Sequence, residues 1–290
     1  LSLVKGNIDF CQGDIILKRI KDSTWIVFDT ETSGPYPIGS EVIEIGAIKY
    51  RGDVEVDKLQ VLIKPKREVP SEIIAIHNIT NQILRSCLDS SHHAAKVAEF
   101  FKGDFYVAHH APFDLGFMAY FFEKENKPLP CGFGVCTSLL ARKIITDVEN
   151  HKLQTLARRF QIETGSAHRA LDDAKTCAEL FKIIINQKLK LDEDISKLQK
   201  IQGYNLSWER FSLKKMNFKW FKFVESAIEK QQDLEVIYKK GTSKGMKRKI
   251  KPLGVVRSPL DGDYIPAWCY SDNKRKRFMM DHFQEILPVE

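Results

Sequence analysis

No apolar run in this chain approaches the ~20 residues needed to cross a bilayer, so no membrane span is expected. Cysteine is scarce. The six cysteines, at 11, 87, 131, 136, 177 and 269, contain no C-x-x-C pair, and the closest two, Cys131 and Cys136, are too far apart for a usual zinc-knuckle half-site. A disulfide scaffold is excluded with it, and the thiols read as reduced and mostly buried, as in a cytoplasmic protein. The first residues, Leu1-Ser2-Leu3-Val4-Lys5-Gly6, lack the basic start, long apolar middle and small-residue cleavage site of a secretory signal.

What is present is an ordinary soluble composition, 43% hydrophobic and 29% charged, over 290 residues. That length leaves room for about two domains. The net charge of +7 is unevenly spread. Residues 188–290 carry 22 Lys and Arg against 14 Asp and Glu, whereas residues 1–187 are close to neutral. A polyanion would be held by the later part.

Trp25-Ile26-Val27-Phe28 is a short run of β-branched and aromatic residues, the pattern of a buried strand. It ends in Asp29-Thr30-Glu31-Thr32-Ser33-Gly34-Pro35. Residues i and i+2 of a strand face the same side, so Asp29 and Glu31 point together out of the strand end. Two acids aimed at one spot repel unless a cation lies between them, and hard oxygen ligands suit Mg²⁺ or Mn²⁺. A strand ending in solvated acids is the alternative. Strands are expected again at 41–50 and 59–64, antiparallel across the turn at Arg51-Gly52-Asp53, and at 104–109. Helices are expected at 70–77, after a Thr80 cap, at 91–102, from Pro112 onward, at 137–147, at 151–161, and from about Ala167 in a long final helix. Residues 1–22 show no clear period and read as an extension. The order predicts an α/β fold, a mixed sheet flanked by helices over 23–187. A charged connector with an aromatic cluster follows at 188–220, then a small, basic, mainly β unit at 221–290.

Asp29, Glu31, Asp114 and Asp173 all fall at ends of expected elements, with His168 in the loop that enters the last helix. Four carboxylates can hold two divalent cations, an arrangement suited to in-line displacement at phosphorus, and an imidazole can take the proton of the attacking water. Phe28–Gly34, His109–Met118 and His168–Leu180 resemble the three motifs of the DEDDh family of 3′–5′ exonucleases, which includes proofreading ε-type subunits and RNase T-like enzymes. Ile76-His77-Asn78-Ile79-Thr80 and Leu153–Leu156 resemble supporting segments of that family. The resemblance covers about residues 23–187. It implies a ribonuclease H-like fold, two Mg²⁺ or Mn²⁺ ions held by Asp29, Glu31, Asp114 and Asp173, His168 as general base, and release of nucleoside 5′-monophosphates. Thr32 and His77 would lie on the substrate side, although a capping or surface role for His77 stays open. His110 stands where the family usually has Asn, and Asn78 where it has Gly. Adjacent His109 and His110 are expected to serve structural or substrate-side roles rather than to form a metal pair.

Residues 225–286 resemble a WYL domain more weakly, through Ile237-Tyr238, Arg248–Pro252, Tyr264-Ile265 and Arg275–Phe278. Asp263 and Ile265 depart from the naming tripeptide, and His282 stands where an Arg is typical. That resemblance implies nucleic-acid or nucleotide binding. Arg248, Lys249, Lys276 and Arg277 are the candidate phosphate contacts, with Tyr264, Trp268 and Tyr270 available for stacking. The expectation is a metal-dependent exonuclease acting on DNA or RNA 3′ ends, single-stranded DNA first, with a polymerase or repair partner in view. An RNA-directed exonuclease and a non-catalytic nucleic-acid sensor are the alternatives.

Overall fold

Trp25 to Phe28 form the buried middle of β1 (Thr24–Thr32), which continues three residues past the expected end and so carries both acids within the strand. The structure is a computed structural model that describes residues 18–166, 168–241 and 244–289. The expectation for the first 17 residues lies outside the described part; a single 3₁₀ turn at Ile20–Asp22 precedes β1. β2 (Val42–Arg51) and β3 (Val54–Leu62) form the expected antiparallel pair. Then come α1 (Ser71–His77), α2 (Asn81–Arg85), α3 (Ser90–Phe100), β4 (Phe105–Ala108), α4 (Pro112–Lys124), β5 (Phe133–Cys136), α5 (Thr137–Ile144), α6 (Leu153–Phe160) and α7 (Ala170–Lys188). Thr80 caps α2 by accepting from the Ile83 N–H, and Pro112 opens α4, both at positions their chemistry favours.

The sheet order is β3-β2-β1-β4-β5, with β4 and β5 parallel to β1. The parallel pairing of β1 stops at Val27, so Asp29 and Glu31 stand beyond it, on the part of β1 that only β2 still accompanies. Ligands of open α/β sheets bind outside such carboxyl ends. The alternation of β1 divides the core. Trp25 and Val27 pack with Phe181, Ile184 and Ile185 of α7, while Ile26 and Phe28 pack with Leu115, Met118 and Phe122 of α4 on the other side.

Residues 188–220, expected as a connector, add α8 (Ser196–Gln202) and a 3₁₀ turn, Trp208–Phe211. Leu206, Trp208 and Phe211 are buried in the α4-side core, Trp208 edge-on to Tyr106 at 5.0 Å between ring centres. α9 (Phe221–Glu229) then leads to a second sheet of β6 (Leu234–Tyr238), β7 (Lys247–Pro252), β8 (Tyr264–Cys269), β9 (Lys274–Met279) and β10 (Phe283–Pro288), antiparallel in the order β10-β6-β7-β8-β9. Ile38, in the loop that follows the two acids, is buried among Val224, Ile250 and Val255 of this second unit and bridges Val255.

Candidate active site

Glu31 and Asp173 approach one another because the start of α7 lies directly on β2. Gly46, opposite Asp29 in the sheet, makes that possible: a Cβ there would fall 2.1 Å from the Leu171 nitrogen and 2.2 Å from the Ala170 carbonyl carbon. Two positions back, the wholly buried Glu44 fixes the helix start. It accepts from Arg169 at 2.9 Å and from the backbone N–H of Ala170 at 3.1 Å. Gln60 donates to it at 2.8 Å. Asp173 then accepts from the backbone N–H of His168 at 2.9 Å, which folds the entry loop back over the helix start. His168 adopts φ +61° and is exposed, at the rim of the site.

Asp114 is buried in the first turn of α4 and is held by Thr30, whose backbone N–H and hydroxyl donate to one carboxylate oxygen at 3.0 and 2.7 Å. Thus the even residue between the two acids of β1 aims the acid of α4. Glu31, His168 and Asp173 each offer a ligand atom, and these lie within 4.8 Å of one another. The crowding of negative charge is severe. Burial, then the charges of Asp114, Glu31 and Asp173, push the Asp29 carboxyl well above its ordinary value. Burial, then Asp173 and Glu44, push Glu31 up to about 8. Burial pushes Asp114 up to about 7 against the opposing hydrogen bonds from Thr30, and burial raises Asp173 as well. The four carboxylates, hard oxygen donors under such repulsion, fit a divalent cation of the Mg²⁺ type.

The neighbouring histidines take separate roles. His109 is bound to the Thr137 hydroxyl and the His151 carbonyl, both at 2.9 Å, and burial holds it down to about 4. It is a structural neutral imidazole. His110 and Asn78 both have positive φ, +67° and +60°. A left-handed backbone explains why Asn and Gly are usual at these two positions, and both residues found here tolerate it. His77 is buried, its Nδ1 accepting from the Ile79 N–H at 3.0 Å, and burial lowers its pKa. Thr32 is buried with its hydroxyl donated to the Gly34 carbonyl at 2.7 Å.

The family described as RNase_T, exonuclease, matches residues 26–181. The chain belongs to the RNase T exonuclease family. Its exonuclease domain is 31% identical over 170 residues to the PolC-type DNA polymerase III of Bacillus subtilis (strain 168), a match covering 57% of this chain and 12% of that protein. The PolC-type polymerase of Caldanaerobacter subterraneus subsp. tengcongensis is 34% identical over 165 residues, 55% of this chain and 11% of that protein. The chain therefore spans only a small part of these curated relatives. Among solved structures, the zinc-bound form of E. coli exonuclease I in complex with single-stranded DNA matches with a TM-score of 0.52 at 15% identity, over 85% of this chain and 54% of that one. Cell-death related nuclease 4 matches with a TM-score of 0.50 at 14% identity, over 58% of this chain and 65% of that one. Both share the ribonuclease H-like fold.

Sequence reasoning missed Glu44 as the anchor of the helix bearing Asp173. The signal was there, an acid between Ile43 and Ile45 in a strand, but its partner lies 125 positions away. In the C-terminal unit the four expected phosphate contacts fall in different environments. Arg248 is buried, its guanidinium carbon 6.0 Å from the Tyr238 ring centre, because alternation along β7 turns Arg248, Ile250 and Pro252 inward. Lys276 is turned to the same side as Ala267 and is paired with Asp272 at 2.6 Å. Lys249 and Arg277 are exposed.

Proposed function

We propose that this chain is a divalent-metal-dependent 3′–5′ exonuclease that shortens single-stranded nucleic acid, DNA ahead of RNA, and releases nucleoside 5′-monophosphates. The observations that carry the reading are the ligand atoms of Glu31, His168 and Asp173 within 4.8 Å of one another and the mutual repulsion that, with burial, raises the carboxyl pKa values of Asp29, Glu31, Asp114 and Asp173. These four acids would hold two Mg²⁺ or Mn²⁺ ions, which when bound supply Lewis-acid stabilisation of the charge that builds at phosphorus and on the departing oxygen.

The chain's own residues do the rest. Thr30 keeps Asp114 in place with two hydrogen bonds, and Glu44 keeps the start of α7, and with it Asp173, against β2. His168 stands at the rim, where its imidazole takes the proton of the attacking water and returns it to solvent. The water's oxygen bonds to phosphorus as the bond to the 3′-oxygen of the preceding nucleotide breaks; that oxygen takes a proton from solvent to become the new 3′-hydroxyl, and the phosphate stays on the 5′-oxygen of the released unit. Tying Asp173 to the backbone of His168 keeps base and acid in register. A polymerase or repair partner is proposed because the curated relatives are PolC-type polymerases. The test is product analysis with a 3′-terminally labelled single strand. A labelled nucleoside 5′-monophosphate is the expected first product; a 3′-monophosphate or a labelled oligonucleotide contradicts the reading.

A further inference from the structure

The second sheet has one face covered by α9 and a second face that is buried at Tyr264 and Pro266 and opens toward Trp268 and Tyr270. Val236, Ile250, Ala267, Cys269 and Phe278 pack inward with α9 and Ile38. On this second face the register aligns Lys251, Trp268 and Arg275 in one cross-strand row, and Pro266 with Arg277 in the next. The Arg277 guanidinium carbon lies 4.9 Å from the Tyr264 ring centre, and the Lys249 ammonium 5.2 Å from that of Tyr270. Tyr264 is itself buried beside Arg277, so the aromatic rings this face offers are those of the half-buried Trp268 and the exposed Tyr270, flanked by cations on both sides. The charge is not cancelled evenly. Asp233 pairs with Lys249 at 3.0 Å and Glu235 with Lys247 at 3.5 Å. Among the described residues no carboxylate oxygen lies within 4.0 Å of the Lys251, Arg275 or Arg277 nitrogens. Positive potential is therefore concentrated over β8 and β9.

β8 also has a direction. Its Tyr264 end pairs with Val256 through two backbone hydrogen bonds of 3.0 Å. Just before it, Tyr36 packs on Gly254 so closely that a Cβ there would fall 2.4 Å from the Tyr36 Cβ. Ile38 bridges Val255. Tyr36 and Ile38 belong to the loop that leaves Glu31, so β8 starts where the loop from the carboxylates docks. From Tyr264 to Tyr270 the chain runs about 20 Å.

We infer that this open face binds single-stranded nucleic acid and leads the strand to the carboxylate cleft. Aromatic faces accept any base, and unpaired cations along them hold the phosphates, which is the chemistry of sequence-tolerant single-strand binding. The role as a lead-in rests on the exonuclease reading; the binding does not. The test uses the full chain with chelator, and fluorescence anisotropy with labelled dT20 and rU20. The Arg275→Glu/Arg277→Glu double variant is expected to bind at least tenfold more weakly, with a log–log salt slope shallower by about 1.4. Trp268→Ala is expected to lose about tenfold and Trp268→Phe to keep most of the affinity. Lys276→Ala, on the other side of β9, is expected to change nothing. With Mg²⁺ added, the double variant should raise KM for dT20 while leaving kcat/KM for dT4 as in the wild type. Matching melting temperatures show that each variant is folded. Unchanged affinity for both oligonucleotides in the double variant and in Trp268→Ala overturns the inference. Binding with the expected variant pattern, but no cleavage of dT4 or dT20 with Mg²⁺ or Mn²⁺, supports the binding face and removes the exonuclease reading instead.

Discussion

Arg169 donates to the wholly buried carboxylate of Glu44 across 2.9 Å, joining the loop that holds His168 to the strand beside Asp29 and Glu31. The same carboxylate takes the Ala170 N–H, so one acid fixes both the loop and the first turn of α7. Glu44→Ala leaves these donors unsatisfied and frees Asp173 to shift. Because Arg169 is partly exposed, the expected cost in stability is about 2 kcal/mol rather than the full value of breaking a buried pair. A fall in kcat of at least tenfold should accompany it, with Glu44→Gln, which keeps an acceptor, losing less. Urea denaturation and initial rates read the two effects; wild-type kcat in Glu44→Ala would show that the anchor is irrelevant to the site.

Gly46 sets the distance between α7 and the sheet. The atoms a Cβ would meet are backbone, so they cannot swing aside. Gly46→Ala should cost about 2 kcal/mol in overpacking and reduce kcat more than it raises KM, because Asp173 is displaced and the open face of the second sheet is not. A variant with unaltered kcat would mean that α7 tolerates the shift.

The acids predict a pH dependence of stability that bound metal offsets. Glu31 titrates near 4.5 when unperturbed and is pushed up to about 8 here; Asp114 moves from 3.8 to about 7. Between these limits the folded chain holds more protons than the unfolded one, so its stability falls as pH rises. In chelator, melting temperature should therefore decline between about pH 5 and about pH 8. Mg²⁺ should restore it most at the upper end, where the acids are ionised. Asp29→Asn removes a carboxyl that repels the others when ionised and should flatten this decline in chelator, while losing much of the gain from Mg²⁺. A metal-free melting temperature that rises over this range would contradict the account of the cluster.

Most of the nuclease fold was legible because its elements announce themselves locally. The apolar run before Asp29, the Thr80 cap and Pro112 at the start of α4 each say what the backbone does there. β5 and β10 were not expected. Phe133–Cys136 is a four-residue buried run with no alternation to identify it, and β10 follows a 3₁₀ turn that hides its start. Trp208 looked like part of a connector because nothing local shows that it fills a gap between Tyr106 and Phe122. The basic residues of β7 and β9 were visible as charge, but which of them share a face depends on register, and only the paired sheet separates Arg275 and Arg277 from Arg248 and Lys276. The acids and His168 stand out in the sequence through their motifs; Glu44 and Gly46, whose contacts set the start of α7 on β2, act across long separations.

The most direct test of the central claim is a sequencing-gel assay of 5′-labelled single-stranded DNA and RNA, with Mg²⁺ or Mn²⁺ and with chelator, beside Asp114→Ala. The account predicts a ladder that shortens from the 3′ end, vanishes with chelator and is absent in Asp114→Ala, although that variant melts cooperatively. Full activity in Asp114→Ala, or no metal-dependent shortening of either strand by the wild type, would contradict it.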